Sequence, residues 1–165
     1  MVEVRVETSE VESRIKTLNL EGIIKRSAKR AATHAKKIGS QRVRARYTIR
    51  SFKGGIKPIR ATGDGAEILF QSPRLPVERY KARVTSKGIF VSIKRGQGAI
   101  VPRSFVHPLS GRFMQREGKP RYPIHSITSL SIPQLFGNET VLEQMSEAAL
   151  MMFEKRVEHE IERVL

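Results

Sequence analysis

Hydrophobic positions change period several times along the chain, and each change marks an element. Val2, Val4 and Val6 alternate with Glu3, Arg5 and Glu7, which predicts a strand with one buried face. Ser9 and Glu12 stand at capping-box spacing, so a helix is predicted to start there, each side chain meeting a free amide. Val11, Ile15 and Leu18 keep helical spacing. Gly22 is a point of interruption, after which Ile24, Ala28, Ala31, Ala32 and Ala35 continue a narrower stripe. Alanines on one face let a helix approach a sheet or a second helix closely, and a core-facing helix is the reading they support.

The period then shortens. Gly54 and Gly55 mark a turn, and Pro58 excludes a continuing helix. Residues 66–70 form a short apolar run, predicted as a strand. Tyr80, Ala82 and Val84 alternate with Arg79, Lys81 and Arg83, so one face is predicted to join the core and the other to be cationic. After a turn at Ser86, Lys87 and Gly88, the alternation resumes at Ile89, Val91 and Ile93, which predicts an antiparallel hairpin. Gly96 and Gly98 bracket another turn, and residues 99–106 read as a further strand in which Pro102 indicates an edge or a bulge. The pattern is that of an antiparallel meander.

Glu117, Gly118, Lys119 and Pro120 form a turn between two extended arms, predicting a projecting hairpin over about 111–125. Pro133 is placed to open a single helical turn through Phe136. A last helix is predicted over about 138–164, with Asn138 as its cap. Its apolar stripe is Leu142, Met145, Ala149, Phe153, Val157, Ile161 and Val164. The expected fold class is α+β: an antiparallel sheet packed against an N-terminal helix and a long C-terminal helix.

Size and composition narrow the class. The chain has 165 residues, an ordinary size for one domain, and a single domain over 1–165 is expected. There is no cysteine, which excludes disulfides and thiolate metal sites. No apolar run approaches the roughly 20 residues needed to span a bilayer, and no leader-like segment is seen, so a soluble protein with no membrane partner is expected.

Charge changes the picture more. Residues 1–21 carry three Lys/Arg against five Glu, and residues 126–165 carry three against seven, net charges of −2 and −4. The intervening residues hold 25 basic groups against Asp64, Glu67, Glu78 and Glu117, a net +21 within an overall +15. A basic centre between acidic ends implies a polyanion nearby or an acidic protein surface docked on it. The densest basic run is 42–60, and the candidate docking or DNA-channel surface is Arg42, Arg44, Arg46 and Arg50 with Arg79, Lys81 and Arg83. Tyr47 and Phe52 are too few to build a base-stacking platform.

The last helix supplies a counterpart. Glu139, Glu143 and Glu147 are spaced by four, as are Glu154, Glu158 and Glu162, so like charges sit one turn above another. Each such pair costs a few tenths of a kcal/mol in an isolated helix, a cost that a cationic neighbour would remove. Contact between copies of the chain is therefore expected, with these six glutamates as the candidate inter-subunit face.

Catalytic groups are sparse. The single aspartate is Asp64, and His34, His107, His125 and His159 share no short ligand spacing, so no metal site is expected. No nucleophile elbow or phosphate-binding glycine loop is present. The chain is expected not to be an enzyme, and no cofactor is expected.

The stretch 112–136, RFMQREGKPRYPIHSITSLSIPQLF, resembles a segment of the tailed-bacteriophage minor tail protein Z family. The resemblance lies in a basic turn, an RxPI element and a PQ-containing apolar tetrad, here Arg116, Lys119, Arg121, Pro123, Ile124, Pro133 and Gln134. Residues 75–83 with the turn at Lys87 and Gly88, residues 102–106 and the C-terminal helix are similar to the family's hairpin, following strand and last helix. Residues 125–130, HSITSL, depart from its usual charged, glycine-containing turn.

What the resemblance implies is a small α+β virion protein, tail-terminator-like, at the head-proximal end of a phage tail and assembled in the host cytoplasm. It implies a homo-oligomeric ring, usually of six copies, that completes or terminates the tail tube. The tube and the neck or connector proteins would be its partners, with non-specific contact to DNA in the channel. Two alternatives stand beside it: a head-to-tail connector of the neck, and a basic nucleic-acid-binding module, the latter favoured by a pI near 10.8.

Overall fold

The computed structural model of the protein describes residues 20–62 and 65–163. The strand predicted over 2–7, the capping box of Ser9 and Glu12, the stripe of Val11, Ile15 and Leu18, and Val164 lie outside the described residues.

Two long helices run antiparallel. Helix α1 spans Leu20–Arg46, and Gly22 does not interrupt it. Its buried residues, Ile23, Ser27, Ala28, Ala31, Ala32, Ala35, Gly39 and Val43, recur at steps of one, three or four, which places them on one side of a 3.6-residue helix. Ile23, rather than Ile24, opens the buried face. Helix α3 spans Glu139–Glu162. Arg46 Nη1 donates to Asn138 Oδ1 at one end of the pair (3.2 Å), and Arg26 Nη2 to Glu160 Oε2 at the other (3.2 Å). Small residues on α1 let the helices close, and Gly39 is the limiting case, because Met145 occupies the space a β-carbon would need.

Two predictions for α3 need correction. Asn138 is the N-cap residue, but its side chain makes no capping bond and instead accepts from Arg46. Val141, not Leu142, is buried; Leu142 is 45% exposed. Beyond this first turn the predicted stripe holds, with Met145 buried and Ala149, Phe153, Val157 and Ile161 half-buried.

The strands form four small antiparallel sheets rather than one meander. Strands β1 (Arg60–Ala61) and β2 (Ala66–Glu67) pair beside α1. The predicted strand over 66–70 therefore shortens, with Phe70 forming only an isolated bridge to Ile56. Strand β3 (Arg74–Pro76) leads through a 3-10 turn, Val77–Arg79, into β4 (Lys81–Thr85). Strand β5 (Gly88–Ser92) completes the predicted hairpin, in register from Lys81↔Ser92 to Thr85↔Gly88. Val84 was expected on the core face with Tyr80 and Ala82, yet it is 61% exposed. It lies on the outer strand one pair from the turn, where no described element covers it.

The strand predicted over 99–106 is two strands in different sheets. Strand β6 (Ala99–Val101) pairs with β5, whereas β7 (Ser104–Val106) pairs with β8 (Phe113–Arg116). Between them Pro102 can donate no ladder bond, and Arg103 turns the chain with a φ of 55°. Ser104 secures this turn, its Oγ donating to Val101 O (2.6 Å) and accepting from Ile89 N (2.7 Å). Strand β9 (Ile124–Ser126) pairs with β8 and completes the predicted hairpin. Strand β10 (Thr128–Ser131) then returns to pair with β3.

Helix α2 (Ile132–Phe136) is the predicted single turn, opened by a reciprocal capping box of Ser131 and Gln134. It delivers Ile132, Leu135 and Phe136 to the main core, with Val43, Leu75, Tyr80, Val141 and Met145. Full burial of each large apolar side chain contributes about 1.5–3 kcal/mol. Phe136 stacks on Phe70 (centroids 4.4 Å) and meets Phe52 edge-on (5.2 Å). A second core joins Val77 of the 3-10 turn and Ile89 and Val91 of β5 to Ile127, between β9 and β10. The architecture is α+β, as the hydrophobic pattern predicts.

Candidate assembly surfaces

The basic surface is assembled from three segments distant in sequence. Arg42, Arg44 and Arg46 occupy the last turns of α1, where cations oppose the negative end of the helix dipole. The chain beyond runs between the start of β4 and the residues after β5. Thr48 N donates to Ile93 O (2.9 Å), Arg50 N to Arg79 O (2.9 Å), and Lys81 N to Thr48 Oγ1 (3.1 Å). Arg79 Nη1 donates to Lys53 O (2.9 Å). These bonds set Arg50 beside Arg79 and Lys81, just beyond Arg46, whereas none of them reaches Arg42, one turn earlier on α1. Arg83 lies two residues further along β4, its guanidinium over the Phe90 ring at 5.0 Å.

The patch also contains cations that the sequence pattern did not single out. Tyr47 bridges to Lys94, and Arg95 donates from its backbone N to Arg46 O (2.9 Å) and from Nε to Arg44 O (2.8 Å). Lys53, Lys94 and Arg95 are exposed. Nothing in the local pattern of 94–95 marks them; only the register of the chain against 44–48 brings them in.

Several guanidiniums rest on aromatic rings of the chain itself: Arg44 over Phe52 (5.0 Å) and Arg46 over Tyr47 (5.9 Å), besides Arg83 over Phe90. Such contacts orient the cations. They also occupy ring faces on which a nucleic-acid base would otherwise stack.

The acidic surface is simpler. Glu139, Glu143, Glu147, Glu154, Glu158 and Glu162 are all exposed, on the side of α3 turned away from α1. Among the described residues none of the six is in an ion pair. Glu160 is the exception on this helix: it sits at the α1 edge, and its hydrogen bond from Arg26 holds its carboxyl below the ordinary glutamate value. Thus the described part of α1, itself rich in Lys and Arg, neutralises one carboxylate of α3 and pairs with none of the six predicted ones.

The resemblance residues do not converge on one site. Arg116 ends β8 with its guanidinium over Phe105 (4.9 Å), Lys119 and Arg121 lie exposed in the connection, and Arg121 covers Tyr122 (5.8 Å). Pro123 follows a cis peptide bond and Ile124 begins β9. Pro133 and Gln134 belong instead to α2, where Gln134 Oε1 accepts from Ser131 N (2.9 Å) and the pair opens the helix. Across the hairpin, His125 Nδ1 stands 3.8 Å from Glu117 Oε1. Among the described residues no three His, Asp or Glu side chains are grouped to hold a metal, and no helix is long and apolar enough to cross a membrane.

No family model, no curated protein and no solved structure matches the chain.

Proposed function

We propose that the chain is a structural subunit of a tailed-phage virion, forming a ring at the head-proximal end of the tail. The ring completes or terminates the tail tube and presents a surface for head-tail joining. The observation that carries this reading is a pair of complementary surfaces on one subunit: an acidic α3 face with no ion pair among the described residues, and a basic patch built from 44–53, 79–81 and 94–95. A closed ring needs two different, matching surfaces on every copy. The resemblance of 112–136 to minor tail protein Z supplies the virion context, and a ring subunit of this kind carries no catalytic group and no cofactor.

Electrostatic docking of this sort weakens with salt, because the Debye length shortens from about 10 Å at 0.1 M to about 3 Å at 1 M. Light scattering of the purified chain is expected to show a salt-sensitive oligomer that is lost in a variant carrying Glu143→Lys and Glu158→Lys. Assembly unchanged in that variant would overturn the docking mode. Electron microscopy of particles lacking the protein tests the placement: tails of abnormal length, or tails unjoined to heads, are expected, and normal joined virions refute it.

A second reading, a nucleic-acid-binding module, rests on the continuity of the basic patch. Its signature is a salt-steep mobility shift of duplex DNA by the isolated chain. The ring reading is favoured because the arginines cover the neighbouring aromatic rings and α3 offers a matching protein surface.

A further inference from the structure

One apolar feature lies beside the acidic face. Helix α1, helix α3 and the β2 segment enclose an open groove of about 560 Å³, lined by Ala32, Ala35, Ile68, Leu142, Leu150 and Phe153 among others. Leu142 and Leu150 are 45% and 59% exposed. On α3, Leu150 is one turn from both Glu147 and Glu154, so carboxylates border the groove along that wall.

The opposite kind of feature stands on the β7–β8 connection. Leu109 is 94% exposed at its tip, with Pro108 and Val106 beside it. This loop is held in shape by its own hydrogen bonds. His107 N donates to Arg112 O (2.9 Å), Gly111 N to His107 O (2.8 Å), and Ser110 N to His107 Nδ1 (3.2 Å). Gly111, with a φ of 65°, closes the turn. A leucine presented on a fixed loop loses little conformational freedom on binding. Exposed Arg112 stands in the same loop, its carbonyl accepting from His107 N.

We propose that Leu109 of one copy seats in the α1–α3 groove of the next, with Arg112 of the same loop facing the carboxylates that border the groove. This rests on the ring reading and names its central contact: an apolar knob and hole framed by opposite charges. Apolar anchors at the middle of an interface carry most of its energy, and the surrounding ion pairs set register and partner choice. Knob and groove lie on different elements of one chain, so the contact is heterologous and repeats around a ring.

The test uses variants at two exposed positions, Leu109→Asp and Leu150→Asp, followed by sedimentation velocity of the full chain. Each alone is expected to weaken self-association at least about tenfold, with circular dichroism and melting temperature unchanged. Mixed together, they retain one intact knob and one intact groove, so a heterodimer is expected without larger species. The chain has no cysteine, and mild oxidation of a Leu109→Cys and Leu150→Cys mixture is expected to give a covalent heterodimer, with neither variant alone giving the same yield. Wild-type-like oligomers of Leu109→Asp, or a mixture without heterodimer, would overturn the knob while leaving the ring standing. A wild-type chain that remains monomeric at low and high salt would overturn both.

Discussion

Gly39 of α1 faces Met145 of α3 so closely that a β-carbon on the glycine would lie 2.3 Å from the methionine Sδ. A helix-interior glycine costs about 1 kcal/mol against alanine, and here that cost permits the main core to close. Phe136 limits any retreat, since one of its ring carbons would stand 3.1 Å from the same β-carbon. Gly39→Val is therefore expected to destabilise the chain by about 1–3 kcal/mol through overpacking, read as a lower urea midpoint. An unchanged midpoint would show that the helices part freely.

Arg26 and Glu160 pair across the far end of the same helices. The guanidinium holds the carboxyl low, so the pair adds stability above the unfolded glutamate pKa, which is lost as pH falls through the lower folded value. Glu160→Gln is expected to flatten the decline in melting temperature below about pH 4.3. The effect is small, because Arg26 is largely exposed and the pair is screened. Identical acid limbs for the two proteins would show that other carboxylates govern acid unfolding.

Tyr80 is fully buried and its hydroxyl donates to Leu130 O at 3.0 Å. Burial raises its pKa above the ordinary 10.0. The folded chain thus holds the proton more tightly than the unfolded one, and this contribution is lost as pH rises through the tyrosine range. Tyr80→Phe keeps the ring but leaves a buried carbonyl without its donor, with an expected loss of about 1–3 kcal/mol near neutral pH. The variant is also expected to lose less stability than the wild type above about pH 10. Equal alkaline limbs would assign that unfolding to another group.

Lys81 and Lys94 lie on the basic patch, exposed and with side chains that make no described contact. Replacing both by Gln is expected to weaken self-association at 0.05 M salt severalfold, with the difference vanishing near 1 M. Loss of DNA retention with unaltered self-association would move the patch from the ring reading to the nucleic-acid one.

Elements whose signal is local were legible. The 81–92 hairpin follows from alternation around a glycine turn, and α2 from Pro133 placed to open a helical turn; its capping box of Ser131 and Gln134 is an equally local signal that the sequence reading does not single out. The six glutamates face solvent because a four-residue spacing keeps them on one side of any helix. Misreadings arose where a neighbour overrides the pattern. Asn138 has the composition of a cap, but Arg46, 92 positions away, takes its side-chain oxygen. Val84 continues an apolar alternation past the edge of what the sheet covers. Residues 99–106 have strand character throughout, yet the chain leaves one sheet for another at Pro102 and Arg103.

The basic centre, the acidic last helix and the α+β class are properties of composition and period, which are local and survive any packing. Which cations share a surface is not local. Lys94 and Arg95 join Arg44 and Arg46 only through hydrogen bonds spanning about fifty residues, and the groove beside Leu150 exists only because α1 covers one flank of α3 and leaves the other. Long-range packing chooses among faces that the hydrophobic pattern leaves nearly equivalent, as Val141 and Leu142 show, because one residue's rotation of a helix changes little in its periodicity and everything in what it touches.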